Sequence, residues 1–162
     1  MRKLNNNGQS LTDNWQMIDT AEIDPRSIVE PVIVPLAFFL ENSEALKGKQ
    51  VGVWLDAADS AQSLTEHVHE IPLIAINFPV FADGRGFSHA RSLRDHMGYR
   101  GELLAVGNYM QDQLYYLKRC GFDSYAIDDT ANVESMAHSL ADFSHTYQAA
   151  ADQPLPIYRR RA

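Results

Sequence analysis

The residues best suited to chemistry lie in one segment, Phe81-Ala82-Asp83-Gly84-Arg85-Gly86-Phe87-Ser88-His89-Ala90-Arg91. Gly84 and Gly86 allow a backbone to approach a ligand closely. A helix is expected to begin there, so its free amides and positive dipole end would face that ligand. Arg85 adds a charge, Ser88 adds a hydroxyl donor, and Asp83 could act as a base or orienter. Such a loop would suit phosphate or a sulfur oxyanion. The same residues also suit a tight loop in which Asp83 is a turn or capping residue, and both readings stand. A dinucleotide fingerprint is broken, because His89 occupies the place of its third glycine.

Two helices would supply further groups. At about 100° per residue, Phe87, Ala90, Leu93 and Met97 form one apolar face, with Arg94 along its edge. A partly buried Arg94 needs a carboxylate or an anion. Arg91 and Asp95 are spaced to pair along the helix surface, and Arg91 is a third candidate charge partner. On the next helix, Gln113 falls among Met110, Leu114, Leu117 and Cys120, where its amide would brace a loop or read a ligand. Cys120 is the single cysteine, and its place on that face reads as a small core residue. The six histidines show no metal-ligand spacing, so no metal site is expected. There is no Walker loop, no Gly-x-Ser-x-Gly elbow and no motif that specifies a redox cofactor.

These groups need a scaffold. Short apolar runs at residues 51–55, 73–78, 102–106 and 124–127 read as buried strands. Helical patterns lie between and around them, at residues 35–48, 60–68, 87–97, 110–120 and 130–147. Gly48, Gly98 and Gly121 close three of these helices. Four such alternations predict an α/β fold with a parallel sheet. An open doubly wound sheet is favoured, and the other fit is a half-barrel of four βα units completed by a second copy, which would make the protein a homo-oligomer. Ligands in such folds sit at the carboxyl ends of the strands. The polar residues there are Asp56, Asn77, Asn108 and Asp128, each also a common turn or cap residue.

The chain reads as one domain of 162 residues. Residues 1–30 form an N-terminal extension with a hairpin turning at Asn7-Gly8. Residues 31–150 form the βα core, and residues 151–162 a tail with Pro154, Pro156 and Arg159-Arg160-Arg161. The net charge of −7 argues against a nucleic-acid partner. The longest apolar stretch, residues 28–40, is broken by Glu30, Pro31 and Pro35, so no membrane span is expected. With one cysteine and no apolar leader, a cytoplasmic location is expected.

The blocks Val51-Gly52-Val53-Trp54-Leu55, Phe78-Pro79, Asp83-Gly84-Arg85-Gly86-Phe87-Ser88, Gly98-Tyr99, Asp112-Gln113-Leu114 and Arg119-Cys120-Gly121-Phe122-Asp123 resemble a bacterial family of unknown function. Its members are labelled oxidoreductases of sulfite reduction, and their genes commonly lie beside those for haemoprotein sulfite reductase. The resemblance spans roughly residues 34–143. It implies an accessory or oxidoreductase-associated role in assimilatory sulfate and sulfite reduction, with haemoprotein sulfite reductase as partner. Without the resemblance, the residues suggest a small-anion or nucleotide-binding enzyme or sensor using residues 83–88.

Overall fold

The computed structural model describes residues 1–18, 24–143 and 145–160. Parts of the N-terminal extension (19–23), of the expected last helix (144) and of the tail (161–162) lie outside the described residues. The expected hairpin forms: β1 (Arg2–Asn5) pairs antiparallel with β2 (Ser10–Thr12), and Gly8 turns between them at φ 76°. A two-residue strand β3 (Gln16–Met17) follows, then β4 (Val32–Pro35). The expected βα units come next: α1 (Leu36–Glu41), α2 (Ser43–Leu46), β5 (Val51–Leu55), β6 (Leu73–Phe78), α3 (Arg85–Arg91), β7 (Glu102–Gly107), α4 (Leu114–Cys120), β8 (Ser124–Ala126) and α5 (Val133–Leu140). Residues 60–68 make only a 3-10 turn at Ala61–Leu64, and α3 runs on as a π-helix over Ser92–His96.

Among the described residues, eight strands join one sheet in the order β2-β1-β8-β7-β6-β5-β4-β3. From β3 to β8 neighbours are parallel, and β1 is antiparallel to both of its neighbours. This corrects the favoured open doubly wound sheet. A doubly wound sheet reverses its strand order at a switch point, whereas here β3 to β8 add on in chain order. With every crossover of one hand, the helices gather on one face and the sheet curls into a half-barrel. The linker between the edge strands enforces the curl. Only Asp13, Asn14 and Trp15 separate β2 from β3 in the chain, although these strands stand at opposite ends of the order. An extended chain spans at most about 14 Å over that stretch. Eight strands laid flat would hold their edges about 34 Å apart.

Alternation along each strand divides the core in two. Val53, Leu55, Ile74, Ile76, Phe78, Leu103, Ala105 and Tyr125 face the helices and join Leu93, Leu114, Leu117 and Met136. Ile33, Leu73, Ala75, Leu104 and Val106 face inward, where Met1, Trp15, Trp54 and Ala126 pack on them. At one end of this inner face Lys3, only 7% exposed, bonds both Asp13 and Glu102 at 2.6 Å. Those two carboxylates raise the Lys3 pKa against the opposing effect of burial. The hydrophobic stripe was over-extended at two helix ends. Met110 precedes its helix and is exposed, and Phe143 and Tyr147, expected on the face of the last helix, lie beyond α5 and are exposed. No helix among the described residues is long and apolar enough to cross a membrane.

Candidate functional site

The parallel strands deliver their exits to one rim. The Asp56 carboxylate, just past β5, accepts hydrogen bonds from Asn77 Nδ2 and from the Ala57 amide, each at 2.9 Å. Asp59 accepts from the Asp56 amide at 2.8 Å. Gly107 ends β7 and turns the chain at φ 89°, and the side chain of Asn108 just past it donates to the Pro79 carbonyl at 2.8 Å. Asn77 and Asn108 thus brace the exits of β5, β6 and β7 against one another. Gln113 does the same a step outward: its Nε2 donates to the Phe81 carbonyl at 3.1 Å, and its Oε1 accepts from the Met110 amide at 2.9 Å. Past β8 the Asp128 carbonyl accepts from Arg2 Nη1 at 2.8 Å.

The loop 83–88 closes on itself. Asp83 Oδ1 accepts from the Arg85 amide at 3.1 Å and from Arg85 Nε at 2.9 Å, and Oδ2 accepts from Nη2 at 2.6 Å. This forked pairing is the strong geometry for a guanidinium and a carboxylate. The hydrogen bonds from the Arg85 side chain and amide lower the Asp83 pKa to about 2, and Asp83 raises that of Arg85. The Arg85 side chain is nevertheless 59% exposed. Gly84 is the residue before α3 and has open space around it. Gly86 is buried, and a Cβ there would come within 2.6 Å of the Phe78 ring. Its glycine identity therefore comes from packing against Phe78 and not from a ligand.

The other candidates have separate tasks. Arg91 pairs with Asp95 at 2.6 Å, as the helical spacing predicts. Ser88 lines a surface cleft of about 320 Å³ with Arg91, His96 and Tyr116. Arg94 is bound up inside: Nε donates to the Gly121 carbonyl at 2.9 Å, and Nη1 donates to those of Tyr99 and Gly101 at 2.8 and 3.0 Å. Its Nη2 meets the Asp123 carboxylate. The partner that Arg94 needs is thus a carboxylate and three carbonyls of its own chain. Cys120 is buried, and burial pushes its thiol pKa up.

Sequence reasoning missed three features of the rim. His89 Nε2 lies 3.5 Å from the Ala57 carbonyl, beside the Asp83–Arg85 pair. The Tyr109 hydroxyl donates to the Ala126 carbonyl, and burial together with the nearby Asp128 raises its pKa. Val80, Phe81 and Met110 are 56%, 57% and 48% exposed. Large apolar residues in a loop after Pro79 were the available signal, but periodicity does not report exposure outside a helix or strand. Among the described residues, no group of three or more His, Cys, Asp or Glu side chains is gathered for a metal ion.

In chemical terms, the carboxylate of Asp83 already takes the amide and the guanidinium that an anion would need. The fold and this rim define a singly wound, curled βα protein whose strand exits are braced internally and edged with apolar side chains. The chain belongs to the bacterial protein family of unknown function DUF934, which matches residues 52–158. No curated protein and no solved structure matches it.

Proposed function

We propose that this protein is an accessory component of assimilatory sulfate and sulfite reduction. It acts by docking on another protein, and the sequence resemblance points to haemoprotein sulfite reductase as that partner. The pathway rests on that resemblance alone. The docking mode is supported by one observation at the rim. The polar side chains at the strand exits are occupied with one another, while Phe81, Val80 and Met110 stand exposed beside them. Exposed apolar groups clustered within a polar surround are the common form of a protein-binding surface.

Deletion of the gene tests the pathway. A strain lacking it should grow poorly on sulfate or sulfite as sulfur source and normally on cysteine. Normal growth on sulfate, in a strain with no second copy of the gene, would refute the role. The alternative, a small-anion or nucleotide-binding enzyme or sensor, rests on the exposure of Arg85. It requires Arg85 to exchange Asp83 for the ligand. Sulfite, sulfate, phosphate, adenosine phosphosulfate, flavins and nicotinamides can each be tested by thermal shift, because a ligand of the native state raises the melting temperature.

A further inference from the structure

We infer that the partner docked at this rim is a protein presenting lysine and arginine side chains around an apolar socket, with Phe81 as the side chain that enters the socket. The inference rests on the docking reading above and adds the chemistry of the partner. Phe81 and Met110 are held as neighbours, because Gln113 bonds the carbonyl of one and the amide of the other. Val80 is fixed to the same loop through its carbonyl, which accepts from the Asp83 amide at 3.0 Å. This apolar centre is therefore set in place before any partner arrives, which reduces the ordering cost of association.

Carboxylates surround that centre. Asp83 lies within its loop. Asp112 precedes Gln113, Asp128 is close enough to Tyr109 to raise its pKa, and Asp56 acts on Arg85. Asp56, Asp112 and Asp128 are exposed. Arg85 is a guanidinium set among them, and Asp83 already pairs with it. Arg2 is a second, beside Asp128, and it is engaged with the Asp128 and Asp129 carbonyls. An apolar centre ringed by acid calls for a basic ring on the other side, since like charges across an interface are strongly disfavoured. A second copy of this chain would bring the same carboxylates against themselves, and each copy carries a net charge of −7. The occupant is therefore a different, basic surface.

The test uses purified haemoprotein sulfite reductase holoenzyme as probe and measures its affinity for the full chain at low and moderate salt. Between about 50 and 300 mM salt the dissociation constant should rise about tenfold or more, because exposed charges are then screened. Asp112→Lys with Asp128→Lys should weaken binding by a similar factor at low salt, and Phe81→Asp should abolish it. A control reversal remote from the rim, Glu44→Lys with Glu66→Lys, should leave it unchanged. Binding that ignores both salt and the Asp112/Asp128 reversal overturns the basic-face inference and leaves the docking reading intact. No binding at any salt overturns the docking reading and the inference together. Self-association of the chain that Phe81→Asp disrupts would show that the occupant is a second copy, and would also overturn it.

Discussion

Arg94→Ala gives the sharpest test of how this fold separates scaffold from site. The guanidinium holds the carbonyls of Gly121, Tyr99 and Gly101 and the carboxylate of Asp123. It also lies 5.3 Å from the centre of the Tyr99 ring. Truncation leaves three carbonyls without their charged donor, at about 1 kcal/mol each. Asp123 is about half exposed and keeps the Leu103 amide, so its share is smaller. The total is about 3–4 kcal/mol, a large fraction of the stability of a domain this size. Each kcal/mol shifts the melting temperature by about 2–4 °C at this length, so a fall of about 10 °C is expected. Arg94→Lys should recover only part of it, since an ammonium cannot address three carbonyls with a planar fork. Calorimetry with urea denaturation measures both variants. A melting temperature within about 2 °C of wild type for Arg94→Ala would refute the accounting.

Three further outcomes follow from the same structure. Arg85→Ala removes an exposed side chain and should open no core cavity, while it releases the Asp83 carboxyl from a midpoint of about 2 toward its ordinary value near 4. Because the folded-state pKa is the lower one, the stabilisation from this pair is present above the ordinary carboxylate range and disappears as pH falls through the folded midpoint. Carbon-detected NMR titration of Asp83 reads this directly. Gly107→Ala should destabilise by about 2 kcal/mol or more, because a Cβ at φ 89° would come within 2.5 Å of the Phe78 carbonyl oxygen; chemical denaturation measures it. Cys120→Ser should fold and complement a deletion strain at a cost of about 1 kcal/mol. The native thiol should react slowly with Ellman's reagent until the chain unfolds.

The strands were legible where apolar runs were long enough to stand out. β5 and β6 fall on the residues that the sequence marks, because short runs that are apolar apart from Gly52 and Asn77 read as strands packed on both faces. β4 was not legible. Its three fully apolar residues sit between Pro31 and Pro35, and Pro35 was read as opening the next helix, which it does. The choice of sheet was also hidden. Strand order is a tertiary property, and identical βα alternation serves an open sheet and a curled one. At the site, the surface pairing of Arg91 followed from helix geometry, whereas Gln113 braces its loop from the 3-10 turn before α4 and not from the face of that helix. The closure of Asp83 on Arg85 did not, since whether an aspartate caps its own loop or faces a ligand depends on side-chain rotation that spacing does not report. The exposure of Phe81 was missed for the opposite reason, because an apolar residue attracts notice only once it is seen to be uncovered.

The short link through Asp13, Asn14 and Trp15 bears on how the protein behaves among its neighbours. An open sheet has two borders of unpaired amides and carbonyls, and each can recruit a strand from another molecule. Here the two borders are leashed to each other, and Trp15 on the leash is packed into the inner core. The curl is thus a constraint set by chain length as well as by packing, and one border cannot swing away to seek a partner without pulling the other and unseating that tryptophan. Strand exchange at either margin is thereby opposed by the short link and by the burial of Trp15.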